Sequence, residues 1–212
     1  MNWETHFATF METQLATADA AHDMAHIRRV VATAKRLAAE EAADLAVVVP
    51  SAWLHDCIAL PKDSPERARA STLAAEAAVA YLAHIGYPEE HHEAIAHAIS
   101  AHSFSAGIPP RTREAQVVQD ADRLDSLGAI GLARCLLTGV SMGTALYHPT
   151  DPFGESGRAL DDKAYSVDHF YVKLLKLAGS MQTASGRAEA ARRTAYLEGF
   201  LEQLRGELGV GS

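Results

Sequence analysis

The sequence predicts an all-α fold, and two observations support this prediction. Alanine accounts for 41 of the 212 residues, against 14 glycines and 8 prolines, and this composition favours helix over strand. Apolar residues recur at helical spacing, and no alternating apolar–polar pattern is long enough to predict a strand. Because 48% of the residues are hydrophobic, the chain can bury a substantial core. We expect one domain over residues 1–212 with roughly eight helices.

Capping and helix-breaking residues predict where the helices begin and end. Asp44 can cap a helix that contains Pro50, where we expect a kink or a local restart. Gly86 is a suitable left-handed stop, and Pro88 suits the first turn of the next helix. The segment 141–163 is the longest without periodicity, and a loop of that length is usually functional or mobile. The expected helices are 2–18, 20–42, 44–56, 66–85, 88–101, 112–138, 166–179 and 184–208.

Charge and cysteine content exclude several functional classes. The net charge of −8 argues against general nucleic-acid binding, although a local basic pocket for a small anion remains compatible with it. Cys57 and Cys135 provide neither a disulfide framework nor a CxxC zinc pair, so we expect a reducing cytoplasm. No apolar run approaches the roughly 20 residues of a membrane span, and the N-terminus lacks the order of a signal peptide. We therefore expect a cytoplasmic protein without membrane association.

Histidine and aspartate residues lie beside apolar stripes on several predicted helices. His55 and Asp56 end an apolar helix, where a carboxylate is costly to bury unless it is paired or binds a cation. Asp122 and Asp125 share a half-buried face, so a positive group is expected near them. With His26, these groups suit zinc, iron, manganese or similar ions. Taken singly, each histidine is more often a hydrogen-bonded core or surface residue than a ligand, and each aspartate is more often part of a solvated helix face.

The order of these residues is more specific than any one of them. His26, then His55-Asp56, then Asp122 resembles the H…HD…D motif of the HD-domain metal-dependent phosphohydrolases, in particular the small single-domain bacterial type. The resemblance covers about residues 20–205 and follows an N-terminal helical segment, 1–18. The matching contexts are HIRRV around His26, AWLHDC around His55, QDADRLDSLGAIGLAR around Asp122, AHSFS at 101–105, HFYVKLLKL at 169–177 and LPKDSPERARAS at 60–71.

This resemblance implies a helical fold that gathers four ligands, His26, His55, Asp56 and Asp122, around one divalent ion. The ligand types leave Mn²⁺, Mg²⁺, Co²⁺, Ni²⁺, Fe²⁺ and Zn²⁺ all open. His97 and His102 lie where related proteins with more ions have additional histidines. The implied reaction is attack of a metal-activated water on a phosphate ester or anhydride, often of a nucleotide. We favour a nucleoside triphosphate pyrophosphohydrolase.

Further residues are candidates for proton transfer and for phosphate binding. Asp125, one helical turn beyond Asp122, can take the proton, or it can hold Arg123 or a ligand histidine. Lys173 follows His169 by four residues and could share a helical face with it. The full set of candidate substrate-binding residues is Arg29, Lys62, Arg67, His102, His169 and Lys173.

Two other functions are open at the level of sequence. His22 and His26 approximate the H-E-x-x-H zinc motif of a metalloprotease, but Asp23 replaces the glutamate and shortens the base by one methylene. The chain could also be a non-catalytic HD module that binds a nucleotide. The oligomeric state, monomer or homodimer, is left open.

Overall fold

The computed structural model describes residues 2–15, 23–58, 60, 66, 69–103 and 106–210. Within these ranges the all-α prediction is confirmed, because the sole strand-type pairing is an isolated bridge between Ala145 and Tyr165. Short 3-10 segments cover Glu89–His91 and Leu174–Ser180. The α-helices are α1 (Trp3–Gln14), α2 (Met24–Glu41), α3 (Leu45–Leu54), α4 (Ala70–Ile85), α5 (His92–His102), α6 (Arg113–Leu124), α7 (Gly128–Met142), α8 (Ser166–Val172) and α9 (Ala184–Leu208).

The chain forms two compact units. The first contains Met1–Asp122 and Gln182–Gly186, and the second contains Arg123–Met181 and Arg187–Ser212. The expectation of one domain therefore stays a prediction, and each unit is described by itself. Within the described ranges no single helix is both long and apolar enough to cross a membrane. The bent pair α6 and α7, taken together, is long and apolar enough by length and composition alone.

Helix α3 forms the centre of the first unit. It contacts α1, α2, α4 and α5. Its sequence is almost entirely apolar because the helix is covered on most of its sides, and Val48 and Leu54 are completely buried. The N-terminal helix contacts α3, where the Trp53 indole N–H donates to a carboxylate oxygen of Glu4 (3.1 Å), and Phe7 and Met11 of α1 are buried. This packing holds the end of α3, where His55 and Asp56 follow, in a fixed place.

Most of the predicted boundaries in the first unit agree with the structure. The Asp23 carboxylate accepts a backbone hydrogen bond (2.8 Å) in the first turn of α2, and Asp44 caps α3 in the same way (2.8 Å). Gly86 ends α4 with a left-handed φ of 75°. The restart expected at Pro50 is absent, because α3 continues through this residue to Leu54. The predicted helix ends at 18 and 20, and much of the segment between the predicted helices 44–56 and 66–85, lie outside the described residues.

Two predicted helices are not continuous in the structure. One is broken at the start of the second unit and the other within it. The expected helix over 112–138 is two helices, because Leu127 is extended (φ −121°) and Gly128 adopts a left-handed φ of 69°. The expected helix over 166–179 is interrupted at Lys173 (φ −131°, ψ −60°), beyond which a 3-10 segment follows. Glycine tolerates a helix as well as a left-handed turn, so composition alone did not predict the first break.

The aperiodic segment 141–163 is held by side-chain hydrogen bonds. Arg158 donates two hydrogen bonds of 2.6 Å to the carboxylate of Asp168, which is completely buried. Asp151 accepts backbone hydrogen bonds from two residues that follow it, at 2.9 and 3.1 Å. In this segment polar side chains, and not i→i−4 helical hydrogen bonds, pair with the backbone N–H and C=O groups. This explains why the segment has no helical periodicity.

Candidate metal centre

Four predicted ligands from three separate parts of the first unit lie together. His26 is in the first turn of α2, where the Asp23 cap fixes the backbone. His55 and Asp56 occupy the turn that follows α3. Asp122 lies near the end of α6. The residues are up to 96 positions apart in the sequence (122 minus 26), so only the fold brings them together.

The distances between these side chains suit one small cation. Nε2 of His26 lies 3.5 Å from Oδ1 of Asp122 and 3.8 Å from Oδ2 of Asp56. Nε2 of His55 lies 3.5 Å from Oδ2 of Asp56 and 3.8 Å from Oδ1 of Asp122. Since ligand atoms lie about 2.1 Å from a transition metal ion, two ligands of one ion are separated by at most about 4.2 Å. All four separations meet this condition.

The imidazole of His55 is prepared to be a ligand. Its Nδ1–H donates to the carbonyl oxygen of Ala52 (2.9 Å), which leaves Nε2 as the unprotonated nitrogen. Nε2 is buried and has no hydrogen-bond partner within the described part of the chain. An unsatisfied buried polar atom costs about 1–3 kcal/mol, and a cation would remove that cost. Burial lowers the pKa of His55, against the opposing charge of Asp56, which favours the neutral ring that metal binding requires.

A third histidine adjoins the cluster. His102 ends α5, and its Nε2 lies 3.5 Å from Oδ1 of Asp56. Its Nδ1–H donates to the carbonyl of Ile99 (2.6 Å), and its ring meets that of His55 edge-on at 4.9 Å. Burial alone would lower the pKa of His102, but the hydrogen bond and charge of Asp56 outweigh it and raise this pKa. His97, the other candidate for an additional ligand, instead accepts a hydrogen bond from the backbone N–H of Arg111 (2.9 Å).

Asp125 is engaged in an ion pair that the sequence did not predict. Its carboxylate is 2.6 Å from Nη1 of Arg134, and the residue is only 3% exposed. The sequence offered Arg123 or a ligand histidine as its structural partner. Arg134 was missed because it follows the helix break and becomes a neighbour only when α6 and α7 are separate helices. A catalytic role for Asp125 stays a prediction.

The candidate phosphate-binding residues have different surroundings. Lys62 and Arg67 lie outside the described residues, and Arg29 is half-buried on α2. Lys173 is exposed and caps the end of α8, where its backbone N–H donates to the carbonyl oxygen of His169 (3.0 Å). The Nδ1–H of His169 donates to a carboxylate oxygen of Asp162 (3.0 Å). The substrate-binding roles of these residues stay predictions.

The sequence did not indicate the structural role of Asp120, which lies close to Asp122 in α6. Asp120, two residues before Asp122, is completely buried. Its carboxylate accepts hydrogen bonds from the backbone N–H groups of Gln182 and Thr183 (2.8 Å each) and from the Thr183 hydroxyl (2.7 Å). These bonds fix the part of α6 that carries Asp122. The partners lie about 60 residues away, so no local pattern indicates them.

The buried imidazole of His55, which burial keeps neutral, lies beside two carboxylates. These groups come from separate segments of a helical fold, which is the arrangement of a divalent-metal site. Comparison with known proteins identifies the family. The HD domain model matches residues 24–127. A solved HD-superfamily hydrolase from Bacillus thuringiensis is 32% identical, with coverage of 98% of this chain and 97% of that chain and a TM-score of 0.76. A Lactobacillus plantarum protein of known structure is 33% identical over 98% and 97% of the two chains (TM-score 0.75).

The Bacillus subtilis protein YpgQ is similar along almost the whole chain. It is 29% identical over 204 residues, which is 94% of this chain and 91% of YpgQ. The structure of YpgQ in complex with ADP aligns with a TM-score of 0.74 over 96% of each chain. The chain therefore belongs to the HD-domain superfamily of metal-dependent phosphohydrolases.

Proposed function

We propose that the protein hydrolyses nucleoside triphosphates to release pyrophosphate, using one divalent ion held by His26, His55, Asp56 and Asp122. The observation that supports this most strongly is the convergence of these side chains around the buried, unpartnered Nε2 of His55. The nucleotide is supported by the ADP complex of the similar protein YpgQ. The cleavage position rests on the resemblance to the small bacterial HD hydrolases.

The ligand chemistry favours a divalent ion with room for substrate. Two carboxylates and two neutral imidazoles balance the charge of the ion and suit several transition metals, among which we propose manganese. When bound, such an ion lowers the pKa of a water and offsets negative charge on phosphoryl oxygens. The protein's own contribution is to hold the four groups in place, through the Asp23 cap of α2 and the Nδ1–H bond of His55.

Other residues complete the proposal. Asp125 is our candidate to accept the proton from the attacking water, while its ion pair with Arg134 supports the structural alternative. His102 keeps Nε2 directed at Asp56 by donating Nδ1–H to the Ile99 carbonyl, and it is a candidate to contact substrate beside the ion. We propose that the cationic and imidazole groups that hold the phosphates are drawn from Arg29, Lys62, Arg67, His169 and Lys173.

A product assay tests this proposal. The purified protein is incubated with Mn²⁺ and a panel of ribo- and deoxyribonucleoside triphosphates, and phosphate, pyrophosphate and nucleotide products are separated. We expect nucleoside monophosphate and pyrophosphate in equal amounts. His55→Ala and Asp122→Asn should reduce turnover by about three orders of magnitude, since each removes part of the ion site. His84→Ala, on an exposed position of α4, is the matched control and should retain wild-type activity.

The outcomes separate the candidate functions. Nucleotide binding without product, with Mn²⁺, Mg²⁺, Co²⁺, Ni²⁺ or Zn²⁺, would mean that the protein is a non-catalytic nucleotide-binding module. Peptide hydrolysis that survives His55→Ala would mean that a metalloprotease site at His22 and His26 is responsible. Release of single phosphates would keep the hydrolase and overturn the cleavage position.

A further inference from the structure

Helix α7 presents an apolar stripe to solvent in the second unit. Ile130, Leu137 and Val140 are 39%, 65% and 79% exposed, and Ala133 between them is exposed as well. With about 3.6 residues per turn, these four positions lie along one side of the helix. Their spacing of three, four and three residues is typical of a helix that packs against another helix.

The opposite side of α7 is the side that packs within the unit. Gly139 is buried there, and a Cβ at this position would clash with the hydroxyl oxygens of Thr144 and Ser166. Cys135 lies on the same side, with its Sγ 3.9 Å from the carbonyl oxygen of Ser166. The helix is therefore anchored in its unit through one side, while the apolar stripe faces away from that contact.

The stripe carries no charged side chain. Arg134 is the only Lys, Arg, Asp or Glu between positions 128 and 150, and it pairs with the Asp125 carboxylate at 2.6 Å. The exposed side of a soluble helix normally carries charged residues, whereas the centre of a protein interface is depleted of them. A membrane is a poorer match, because helices on membrane surfaces are rich in Lys and Arg and this chain has a net charge of −8.

The area and the spacing of the stripe match a second copy of this chain. The four side chains expose roughly 350 Å², so two facing stripes would bury roughly 700 Å² of apolar surface. Homodimer interfaces are about 65% apolar, so the complete interface would reach about 1,000 Å², the lower limit for a specific one. Under a two-fold axis through the middle of the stripe, Ile130 faces the partner's Val140 and Ala133 faces the partner's Leu137.

We propose that the stripe Ile130, Ala133, Leu137 and Val140 is a self-association surface, through which two copies of this chain pair with their α7 helices antiparallel. A small side chain then lies opposite a large one, no like charges meet, and removal of the apolar groups from water drives association. The inference does not depend on the proposed hydrolysis, because the stripe contains none of the residues proposed for the ion or the substrate.

Sedimentation velocity of the full-length protein measures this association. At about 100 μM the wild type should have twice the 22.7 kDa mass of one chain. Leu137→Glu and Val140→Glu should each weaken dimerisation at least about 100-fold, because each places two carboxylates in an apolar interface. The matched control is Met142→Glu, which should retain the dimer: Met142 is 52% exposed on the same helix but lies about 140° around it from Leu137. Circular dichroism should show the same helix content in all three variants.

Disulfide trapping tests the antiparallel arrangement. Diamide oxidation of the double variant Ile130→Cys/Val140→Cys should link two chains, because each new thiol faces the other one in the partner subunit. The two positions are ten residues apart, or about 15 Å along one helix, so they cannot form a disulfide within a chain. Ile130→Cys alone should stay unlinked, since its two copies are separated by about the same distance.

Several results would overturn the inference. One is a wild type that is monomeric at about 100 μM. Another is a dimer that survives both glutamate substitutions on the stripe, or one that is lost equally in Met142→Glu. A monomeric protein that sediments with phosphatidylcholine vesicles would show that the stripe binds lipid and not a second copy. Linkage of Ile130→Cys alone, without linkage in the double variant beyond that level, would reject the antiparallel pairing.

Discussion

Gly186 lies in the first turn of α9, against the carboxylate that anchors α6. A Cβ at this position would lie within 3 Å of three atoms: 2.2 Å from Oδ2 of Asp120, 2.7 Å from Oγ1 of Thr183 and 2.8 Å from Cγ of Asp120. Asp120 is completely buried and holds three hydrogen bonds to Gln182 and Thr183, so it has no low-energy way to move aside. We predict that Gly186→Ala destabilises the protein.

The magnitude follows from opposing contributions. Alanine gains about 1 kcal/mol over glycine in a helix. Overpacking costs about 2 kcal/mol. Weakening one hydrogen bond to a buried carboxylate costs about 2 kcal/mol more. The net expectation is a loss of about 3 kcal/mol in the free energy of unfolding, or roughly 9 °C in Tm for a protein of this size. Asp122 is two residues from Asp120, so metal affinity should fall as well.

The matched control lies on the same helix. Gly199 of α9 has no atom within 4 Å of its Cβ position, so Gly199→Ala should show only the helix-propensity gain of up to about 1 kcal/mol. Urea unfolding followed by circular dichroism measures both variants. The two substitutions should shift the midpoint in opposite directions. A shift of the same sign in both, or a neutral Gly186→Ala, would refute the packing argument.

Two further predictions concern ion pairs of the second unit. Arg158→Met removes the guanidinium partner of the buried Asp168 carboxylate and should lower the urea midpoint, whereas adding Asp168→Asn should recover part of that loss. Urea unfolding that shows no loss in the single variant would contradict the structural role of this pair. Burial would raise the pKa of Glu189, but hydrogen bonds from Arg192 and then Arg193 lower it to about 2. A carboxyl group with a lowered pKa stabilises the fold at pH values above its ordinary pKa of 4.5. Because the Arg192 partner is 74% exposed and solvent screens the pair, Glu189→Gln should cost about 1 kcal/mol at pH 7, and the difference from wild type should disappear as the pH falls towards 2. If thermal melts at pH 7 gave the same Tm for the wild type and Glu189→Gln, the stabilising role of the Glu189 carboxylate would be contradicted.

The fold class and the clustered side chains were both predicted from the sequence, but each prediction depends on a different kind of information. Alanine content and helical spacing indicated helices, because both depend on local energetics. The positions of His26, His55, Asp56 and Asp122 depend on long-range packing, and they were identified through their resemblance to a family and not by periodicity. The structure then placed Nε2 of both histidines 3.5–3.8 Å from carboxylate oxygens of Asp56 and Asp122.

What the sequence missed depends on tertiary contacts. In the sequence, Asp120 looks like any other polar helix residue. It becomes a buried hydrogen-bond acceptor only when the segment at Gln182 and Thr183 packs against α6. Likewise, the pairing of Asp125 with Arg134 requires the break before Gly128. A left-handed glycine and a helical glycine are indistinguishable without the surrounding fold.

Anomalous X-ray scattering at the manganese edge, from crystals grown with Mn²⁺, tests the central claim most directly. The account predicts one strong peak per chain among Nε2 of His26, Nε2 of His55 and the carboxylates of Asp56 and Asp122, and the loss of that peak in His55→Ala but not in His84→Ala. A peak elsewhere in the molecule, or these four side chains without a peak at saturating Mn²⁺, would contradict it.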